Sequence, residues 1–188
     1  GLLAINNTDF AKRAEILWEK GTNRAEFFRG EVNKYNWVDT GSSFLPSEIT
    51  SAYLYAQLEN ITDIQEKRKS LWKRYYDNLK QLENEEHLRL PIIPGFATNN
   101  GHLFYLITKN LEERTELIKF LKSKNIQAVF HYLSLHKSPY YQNKHKSTKL
   151  PNAEYYEDCL LRLPLFYDLK EEEVDYICDT INSFYRNA

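Results

Sequence analysis

The chain has 188 residues, of which 42% are hydrophobic, and carries 25 basic against 26 acidic side chains. A formal net charge of −1 argues against the strongly basic composition that is typical of proteins that bind nucleic acid or anionic lipid. No apolar run approaches the about 20 residues that a transmembrane helix needs. Together with a mean hydropathy of −0.63, this predicts a soluble, cytoplasmic protein with neither a nucleic-acid nor a membrane partner.

The cysteine and methionine content of the chain is informative. Cys159 and Cys178 fall in segments with a helical pattern, and we expect small buried thiols in a reducing compartment rather than a disulfide. The chain has no methionine and opens on Gly1–Asn6, which lacks the basic n-region and the apolar length of a signal peptide. We therefore expect a fragment of a longer protein.

The first 45 residues predict a strand, a helix and a long loop. Gly1–Asn6 is typical of a short buried strand, and Thr8 is the predicted N-cap of a helix that ends at Gly21. The segment 22–43 shows no sustained period and is rich in Asn, Arg, Gly and aromatic residues. A structureless run of this length is uncommon in a compact domain unless it has a function.

A long helical pattern follows over residues 46–82. Pro46 suits the first turn, and apolar residues keep roughly helical spacing up to Leu82 without a glycine or a further proline. Such a length predicts a connector helix between two domains. The predicted division is therefore 1–45 for the end of one domain, 46–82 for the connector and 83–188 for a small C-terminal domain.

The C-terminal region mixes strands and helices without a repeating βαβ spacing, which predicts an α+β fold. Asn110 with Glu113 forms a capping box that starts a helix. The remaining predicted elements, in chain order, are a strand at 102–108, a strand at 126–130, a polar loop at 131–150, a helix at 153–161, a strand at 162–163 that Pro164 ends, and a last helix through 174–184.

Three polar segments are candidates for ligand binding. His131 to His136 follow a predicted strand, Asn23 and Arg24 offer donors suited to phosphate or sugar hydroxyls, and Ser43 ends a Gly-Ser-Ser triplet before a predicted helix start. Each segment fits a solvated loop or a plain helix cap as well. The five histidines match no metal-ligand spacing, so no metal is expected.

Three segments in order carry a resemblance to a known family. They are Glu19–Glu59, Val129–His136 (VFHYLSLH) and Leu160–Leu169 (LLRLPLFYDL). They resemble the sugar aminotransferases of the DegT/DnrJ/EryC1/StrS family and, within it, the enzymes that make dTDP-4-amino-4,6-dideoxygalactose. The resemblance covers nearly the whole chain.

The resemblance implies a type I, aspartate aminotransferase-like fold that uses pyridoxal 5'-phosphate and works as a homodimer. The large domain of such enzymes holds the cofactor, and a smaller α+β domain follows it. The Schiff-base lysine and the aspartate that partners the pyridine nitrogen are expected upstream of Gly1. This chain alone is therefore expected to be inactive.

The resemblance also implies roles for single residues. Ser43 stands where relatives have an asparagine that reaches the cofactor phosphate of the neighbouring subunit. His131, Tyr132 and His136 match an HY-x-PLH pattern whose loop approaches the sugar nucleotide, with Ser134 in place of the proline. Further residues expected near the site are His102 and Arg162, and those expected near the dimer interface are Asn23, Arg24, Lys34 and Tyr35.

The function implied for the parent protein is transfer of an amino group from glutamate to a dTDP-4-keto-6-deoxyhexose for surface polysaccharides such as enterobacterial common antigen or lipopolysaccharide. Two alternatives stay open: a non-catalytic binding or dimerisation module (or degenerate homologue), and a pyridoxal phosphate-dependent sugar dehydratase of the same family. A fragment separated from its large domain is also expected to expose apolar side chains at Leu2, Leu3, Ile5 and Phe10.

Overall fold

A computed structural model of the chain describes residues 2–142, 144 and 149–186. The chain divides into two compact units, Gly1–Glu59 and Asn60–Ala188. The helices are α1 (Ala11–Trp18), α2 (Arg24–Phe28), α3 (Glu48–Glu59), α4 (Ile61–Asn84), α5 (Leu111–Ser123), α6 (Pro139–Gln142), α7 (Pro151–Cys159) and α8 (Glu171–Arg186), and the strands are β1 (Phe104–Ile107), β2 (Val129–Phe130) and β3 (Leu160–Leu163). The α+β class predicted from the sequence is confirmed.

The predicted opening strand is wrong. Residues 2–7 form no regular element, and Leu2 is 95% exposed. A strand needs a partner for its backbone groups, and none of the described residues pairs with this segment. The expected exposure of Leu2, Leu3, Ile5 and Phe10 is confirmed. Asn7, rather than Thr8, provides the cap, because its Oδ1 accepts a 3.0 Å hydrogen bond from the Asp9 amide at the start of a 3₁₀ turn.

The segment without periodicity is ordered by the turn at Gly21. Lys20 and Gly21 have φ angles of 65° and 80°, and a Cβ at Gly21 would collide with the Asp39 carbonyl. The Gly21 carbonyl accepts the amides of Val38 and Asp39 at 2.8 and 3.0 Å. Two isolated bridges, Glu19↔Ser43 and Thr22↔Trp37, complete this arrangement. The loop therefore returns to the end of α1.

The predicted connector consists of two helices that are separated at Asn60. In α3 no side chain is buried, whereas α4 buries Leu71, Tyr75, Leu79 and Leu82 on one face. This face follows the three-to-four-residue spacing of an amphipathic helix. The helical pattern was read correctly, but among the described residues none of the side chains of its first half, α3, is buried. The division into 1–45, 46–82 and 83–188 stays a prediction.

The C-terminal unit contains an antiparallel sheet in the order β1-β3-β2. Alternate residues face the core, so that Phe104, Leu106, Leu161 and Leu163 are buried. Helices α4 and α8 pack together, and Arg74 binds Asp175 through two hydrogen bonds of 2.7 Å. The rest of the core is apolar: Leu88, Leu90, Leu117, Leu121, Ile126, Ala128, Leu169, Val174, Ile177, Cys178 and Ile181.

Local signals in this unit agree with the structure. The Asn110 Oδ1 accepts the Glu113 amide at 2.9 Å, which confirms the N-cap half of the predicted capping box, while the Glu113 carboxylate accepts from the Tyr185 hydroxyl at 2.6 Å. Cys159 and Cys178 are free and buried, as expected.

No helix within residues 2–142, 144 and 149–186 is long and apolar enough to cross a membrane. Over the same ranges, no group of three or more His, Cys, Asp or Glu side chains suits a metal ion.

Candidate substrate-binding site

A cavity of about 330 Å³ lies at the end of the sheet where β3 meets Pro164. Two residues predicted from the sequence, His102 and Arg162, line it together. The other lining residues are Leu103, Gln127, Val129, Leu163, Pro164 and Leu165. The cavity thus combines an apolar wall with three side chains that can donate hydrogen bonds: His102, Gln127 and Arg162.

His102 is held by a turn that depends on Gly101. Gly101 has a φ angle of +60°, and a Cβ there would lie 2.8 Å from the Arg68 carbonyl carbon. Arg68 on α4 donates from Nε to the Gly101 carbonyl at 3.0 Å and from its terminal nitrogen to the His102 carbonyl. The backbone of His102 is therefore fixed against α4, and its side chain is exposed.

Arg162 occupies the central strand of the sheet. Its Cα partners are Tyr105 on β1 and Val129 on β2. The Nε atom of Arg162 is buried and has no hydrogen-bond partner among the described residues. Arg162 also forms no ion pair with a carboxylate in that part of the chain, and its guanidinium carbon lies 6.0 Å from the centre of the Tyr132 ring.

His131 and Tyr132 leave β2 beside Arg162. Their ring centroids are 5.0 Å apart, and the rings meet edge to face. His131 Nδ1 is buried and, within the described residues, lacks a hydrogen-bond partner, whereas Tyr132 is 79% exposed. Tyr132 thus contacts both His131 and Arg162. The structure brings four of the predicted residues into one neighbourhood: His102, His131, Tyr132 and Arg162.

His136 has a different partner. Its Nε2 lies 3.1 Å from Glu154 Oε1 on α7. This hydrogen bond, followed by the bond from the Leu150 amide, holds the pKa of Glu154 below its ordinary value. One helical turn further along, Glu157 accepts the Ser134 amide at 3.0 Å. The sequence reasoning missed both glutamates, although their spacing of three residues on a predicted helix was visible.

In the N-terminal unit, the predicted residues gather around Glu19. The Glu19 carboxylate pairs with Arg24 at 2.9 Å, and its backbone pairs with Ser43. Asn23 Oδ1 accepts the Asn36 amide at 2.7 Å, and its amide nitrogen donates to Glu26 at 3.1 Å. Asn23 and Arg24 therefore order their own loop.

The backbone-amide site that the sequence suggested at Ser43 is not formed. Helix α3 begins only at Glu48, and the amides of Ser42 and Phe44 donate to the carbonyls of Leu17 and Trp18 at 3.0 and 3.1 Å. The helix dipole acts within its first turn, so it does not reach Ser43. What Ser43 offers is an exposed hydroxyl.

Of the remaining interface residues, Tyr35 packs its ring against Phe27 with centroids 5.7 Å apart, and Lys34 is exposed. The packing of Tyr35 fixes one side of the loop between α2 and the bridge at Trp37.

Comparison with known proteins gives a consistent result. Residues 1–182 match the family model described as the DegT/DnrJ/EryC1/StrS aminotransferase family. The spore coat polysaccharide biosynthesis protein SpsC of Bacillus subtilis is 25% identical over 201 aligned residues, which cover 100% of this chain and 50% of SpsC.

Two solved structures show the same fold. PseC of Helicobacter pylori, an aminotransferase involved in the biosynthesis of pseudoaminic acid, has a TM-score of 0.81 and 19% identity over 97% of this chain and 48% of its own. Spr1654 of Streptococcus pneumoniae, in its PLP-form, has a TM-score of 0.77 and 22% identity over 100% of this chain and 46% of its own. The chain therefore spans about half the length of these relatives.

Proposed function

This chain belongs to the DegT/DnrJ/EryC1/StrS aminotransferase family, and from that premise we propose that its parent protein transfers an amino group from glutamate to a nucleotide-linked keto sugar. The proposed acceptor is a dTDP-4-keto-6-deoxyhexose, and the proposed product serves a surface polysaccharide. The family match over residues 1–182 is the observation that carries this proposal. An aminotransferase family does not favour the dehydratase alternative.

The sugar side of the proposal is supported by the relatives and by the cavity. SpsC is named for spore coat polysaccharide, and PseC for pseudoaminic acid. Sugar nucleotides present hydroxyl and phosphate groups, which imidazole, phenol and guanidinium donors bind. His102, His131, Tyr132 and Arg162 supply these donors, and we propose that they contact a substrate of the reaction.

We propose pyridoxal 5'-phosphate as the cofactor, in keeping with the PLP-form of Spr1654. When bound, it would supply the electron sink that amino transfer requires. The exposed hydroxyl of Ser43 suits a phosphate oxygen as hydrogen-bond acceptor. Its backbone is fixed by the bridge to Glu19, so the hydroxyl is presented from an ordered segment.

We further propose that the lysine that binds the cofactor lies outside these 188 residues and that the active protein is a cytoplasmic homodimer. No lysine is among the described residues that line the cavity at Arg162. Apolar side chains along α3, including Ile49 at 84% and Tyr53 at 72% exposure, supply a surface that suits burial in an assembly.

Borohydride reduction tests the placement of the lysine. The 188-residue chain and the intact parent protein are each incubated with pyridoxal phosphate, reduced and analysed by intact mass and peptide mapping. We expect one stoichiometric adduct in the parent, on a lysine outside this chain, and no fold-dependent adduct in the chain itself. A single adduct on one of this chain's own lysines, lost on denaturation, would refute that placement.

Turnover tests the reaction itself. The intact protein is supplied with glutamate and dTDP-4-keto-6-deoxyglucose, and the amino sugar nucleotide is detected by mass spectrometry. Matched reactions replace glutamate with aspartate or the dTDP sugar with its UDP equivalent. Failure to form any amino sugar from the set contradicts the proposed function.

A further inference from the structure

We propose that Arg162, assisted by His102, binds an anionic group of a substrate, a carboxylate or a phosphate, in the cavity at the end of the sheet. This inference rests on the proposed function for the identity of the substrate. It goes beyond that function by assigning the charge of the group that enters the cavity and the residue that neutralises it.

The first argument is the unsatisfied donor. Arg162 remains charged at all physiological pH values and offers five N–H donors in a planar fork. Its Nε is buried without a partner in the described part of the chain. A buried donor without an acceptor costs free energy. An anion that accepts from Nε and a terminal nitrogen removes that cost, and carboxylates and phosphates match the fork.

The second argument is the contrast with other arginines of the chain. Arg24 and Arg74 pair with carboxylates. Arg68 donates to two backbone carbonyls. Arg114 also has an unpartnered Nε, but its terminal nitrogen donates to the Glu157 carbonyl at 2.6 Å. Among the described contacts, Arg162 and Arg89 each have only an aromatic ring, Tyr132 and Tyr155. Of these two arginines, Arg162 alone has a buried nitrogen without a partner.

The third argument is the composition of the cavity wall. None of the described residues that line this cavity is acidic, and His102 and Gln127 add donors beside Arg162. A second cavity of about 350 Å³ differs in that its wall holds two carboxylates, Glu83 and Glu86, which can pair with its basic residues His87, Arg89 and Lys109. A cation beside an apolar wall attracts an anion more strongly than it would in open water. The cavity at Arg162 therefore selects for negative charge.

The size of the cavity limits what enters it. A volume of about 330 Å³ stands at the lower end of the range for whole-ligand sites, roughly 300–1,000 Å³. It suits one arm of a substrate better than a complete sugar nucleotide. The same anionic chemistry is present in the carboxylates of the amino donor and in the diphosphate of the sugar nucleotide, and these two sources are separable by experiment.

Equilibrium binding to the intact protein tests the inference without turnover. Glutarate, an unreactive dicarboxylate, and dTDP, a nucleotide diphosphate, are titrated by calorimetry into the native protein and into Arg162→Gln, Arg162→Lys and His102→Asn. The matched control is Arg89→Gln, which removes a guanidinium that lies over the Tyr155 ring in the second cavity, where carboxylates are present.

The expected result is that Arg162→Gln weakens one of the two probes by about tenfold or more, which corresponds to about 1.4 kcal/mol. The Lys variant should recover part of that affinity because it keeps the charge but loses the fork. A loss for glutarate assigns the cavity to the amino donor, and a loss for dTDP assigns it to the nucleotide. The Arg89 control should bind both probes as the native protein does.

Unchanged affinity for both probes in the Gln and Lys variants overturns the inference. Should Arg162→Gln fail to fold, the Lys and His102→Asn variants still decide it, because each keeps a polar group in place and is expected to bind the same probe more weakly. A protein that forms no amino sugar yet shows Arg162-dependent anion binding refutes the proposed function and leaves this inference standing.

Discussion

The Nε2 atom of His136 lies 3.1 Å from Oε1 of Glu154, and this bond attaches the loop after β2 to helix α7. Glu157 accepts the Ser134 amide at 3.0 Å, and Lys137 lies 3.8 and 3.6 Å from the two glutamates. The loop that begins with His131 and Tyr132 is therefore held at its far end by two carboxylates one helical turn apart.

Removing one of these carboxylates should loosen the loop without unfolding α7. We expect Glu154→Ala to increase backbone hydrogen exchange several-fold at residues 134–137, because the His136 bond and one partner of Lys137 are lost. The measurement is hydrogen exchange read by mass spectrometry on peptides that cover this loop. Glu116→Ala, which removes an exposed carboxylate from α5, is the control. Equal exchange in both variants would show that Glu154 does not hold the loop.

The same attachment should depend on pH. The pKa of Glu154 is lowered by the hydrogen bond from His136 and by the Leu150 amide, and that of Glu157 by the side chain and amide of Ser134 with Lys137 nearby. A carboxyl group whose pKa is lowered by folding stabilises the folded loop when the pH lies above the unfolded-state pKa of 4.5. That stabilisation is lost as the pH falls through the lowered pKa of the folded state.

Carboxyl carbon shifts followed by NMR between pH 2 and 7 would measure this titration. We expect midpoints for Glu154 and Glu157 below 4.5, the ordinary value, with loop exchange accelerating over the same range. Ordinary midpoints for both would contradict the attachment.

The strands of the sheet were predicted from the sequence only in part. The predicted strand at 102–108 contains β1, because alternate burial of Phe104 and Leu106 is a local signal. The predicted strand at 126–130 is paired only at Val129 and Phe130. In the observed register Gln127 would stand opposite Pro164, which has no N–H to donate. Ile126 and Ala128 are buried like strand residues but have no ladder to join.

Contacts between distant residues lie beyond such patterns. The sequence placed His131 and His136 in one polar segment after a predicted strand, but it gave no signal for Glu154, which stands 18 positions after His136 and lies 3.1 Å from it. His102 and Arg162 come together because β1 pairs with β3 and because Arg68 holds the backbone of His102. No local sequence signal connects Arg68 to either residue. The residue types of the candidate site were predictable, and their partners were not.

Helix α5 offers a test of the capping box. Asn110 Oδ1 accepts the Glu113 amide at 2.9 Å, and Asn110→Ala removes that acceptor. We expect the free energy of unfolding to fall by about 1 kcal/mol, the usual cost of losing an N-cap. Urea denaturation followed by circular dichroism would measure the change. Asn110→Asp should retain native stability, and an equal loss in both variants would mean that the cap is not the cause.

Tyr75 connects the core to the candidate cavity. Its ring is fully buried and stacks on Phe104 with centroids 4.9 Å apart, and its hydroxyl donates to the Pro164 carbonyl at 2.9 Å. Tyr75→Phe keeps the ring and removes the donor, so we expect a loss of about 1–2 kcal/mol in the free energy of unfolding.

Urea denaturation of native, Tyr75→Phe and Leu71→Ala chains would place this loss on a scale. Leu71 is fully buried on the same helix face, and its truncation should cost about 2–5 kcal/mol through cavity formation. Because Pro164 lines the cavity at Arg162, the Phe variant should also weaken the Arg162-dependent probe. A Phe variant as stable as the native chain would show that the hydrogen bond contributes nothing.

Helix α3 carries the strongest expectation of association. Five of its apolar side chains are exposed: Ile49, Tyr53, Leu54, Tyr55 and Leu58, with exposures of 84, 72, 53, 66 and 52%. Apolar area on this scale is costly to leave in water. We expect the 188-residue chain to self-associate in a concentration-dependent manner, measurable by sedimentation equilibrium against its mass of 22.4 kDa.

Two lysine substitutions on α3 test whether self-association depends on apolar contacts or on the net charge of the chain. Ile49→Lys places a charge within the exposed apolar set and should weaken association by about tenfold or more, because it removes an apolar side chain that the interface would bury and adds a charge that the interface would desolvate. Gln57→Lys adds the same charge at an exposed polar position of the same helix and should associate more nearly like the native chain. Equal weakening by the two variants would attribute association to charge alone, and a native chain that stays monomeric at high concentration would remove α3 as an association surface.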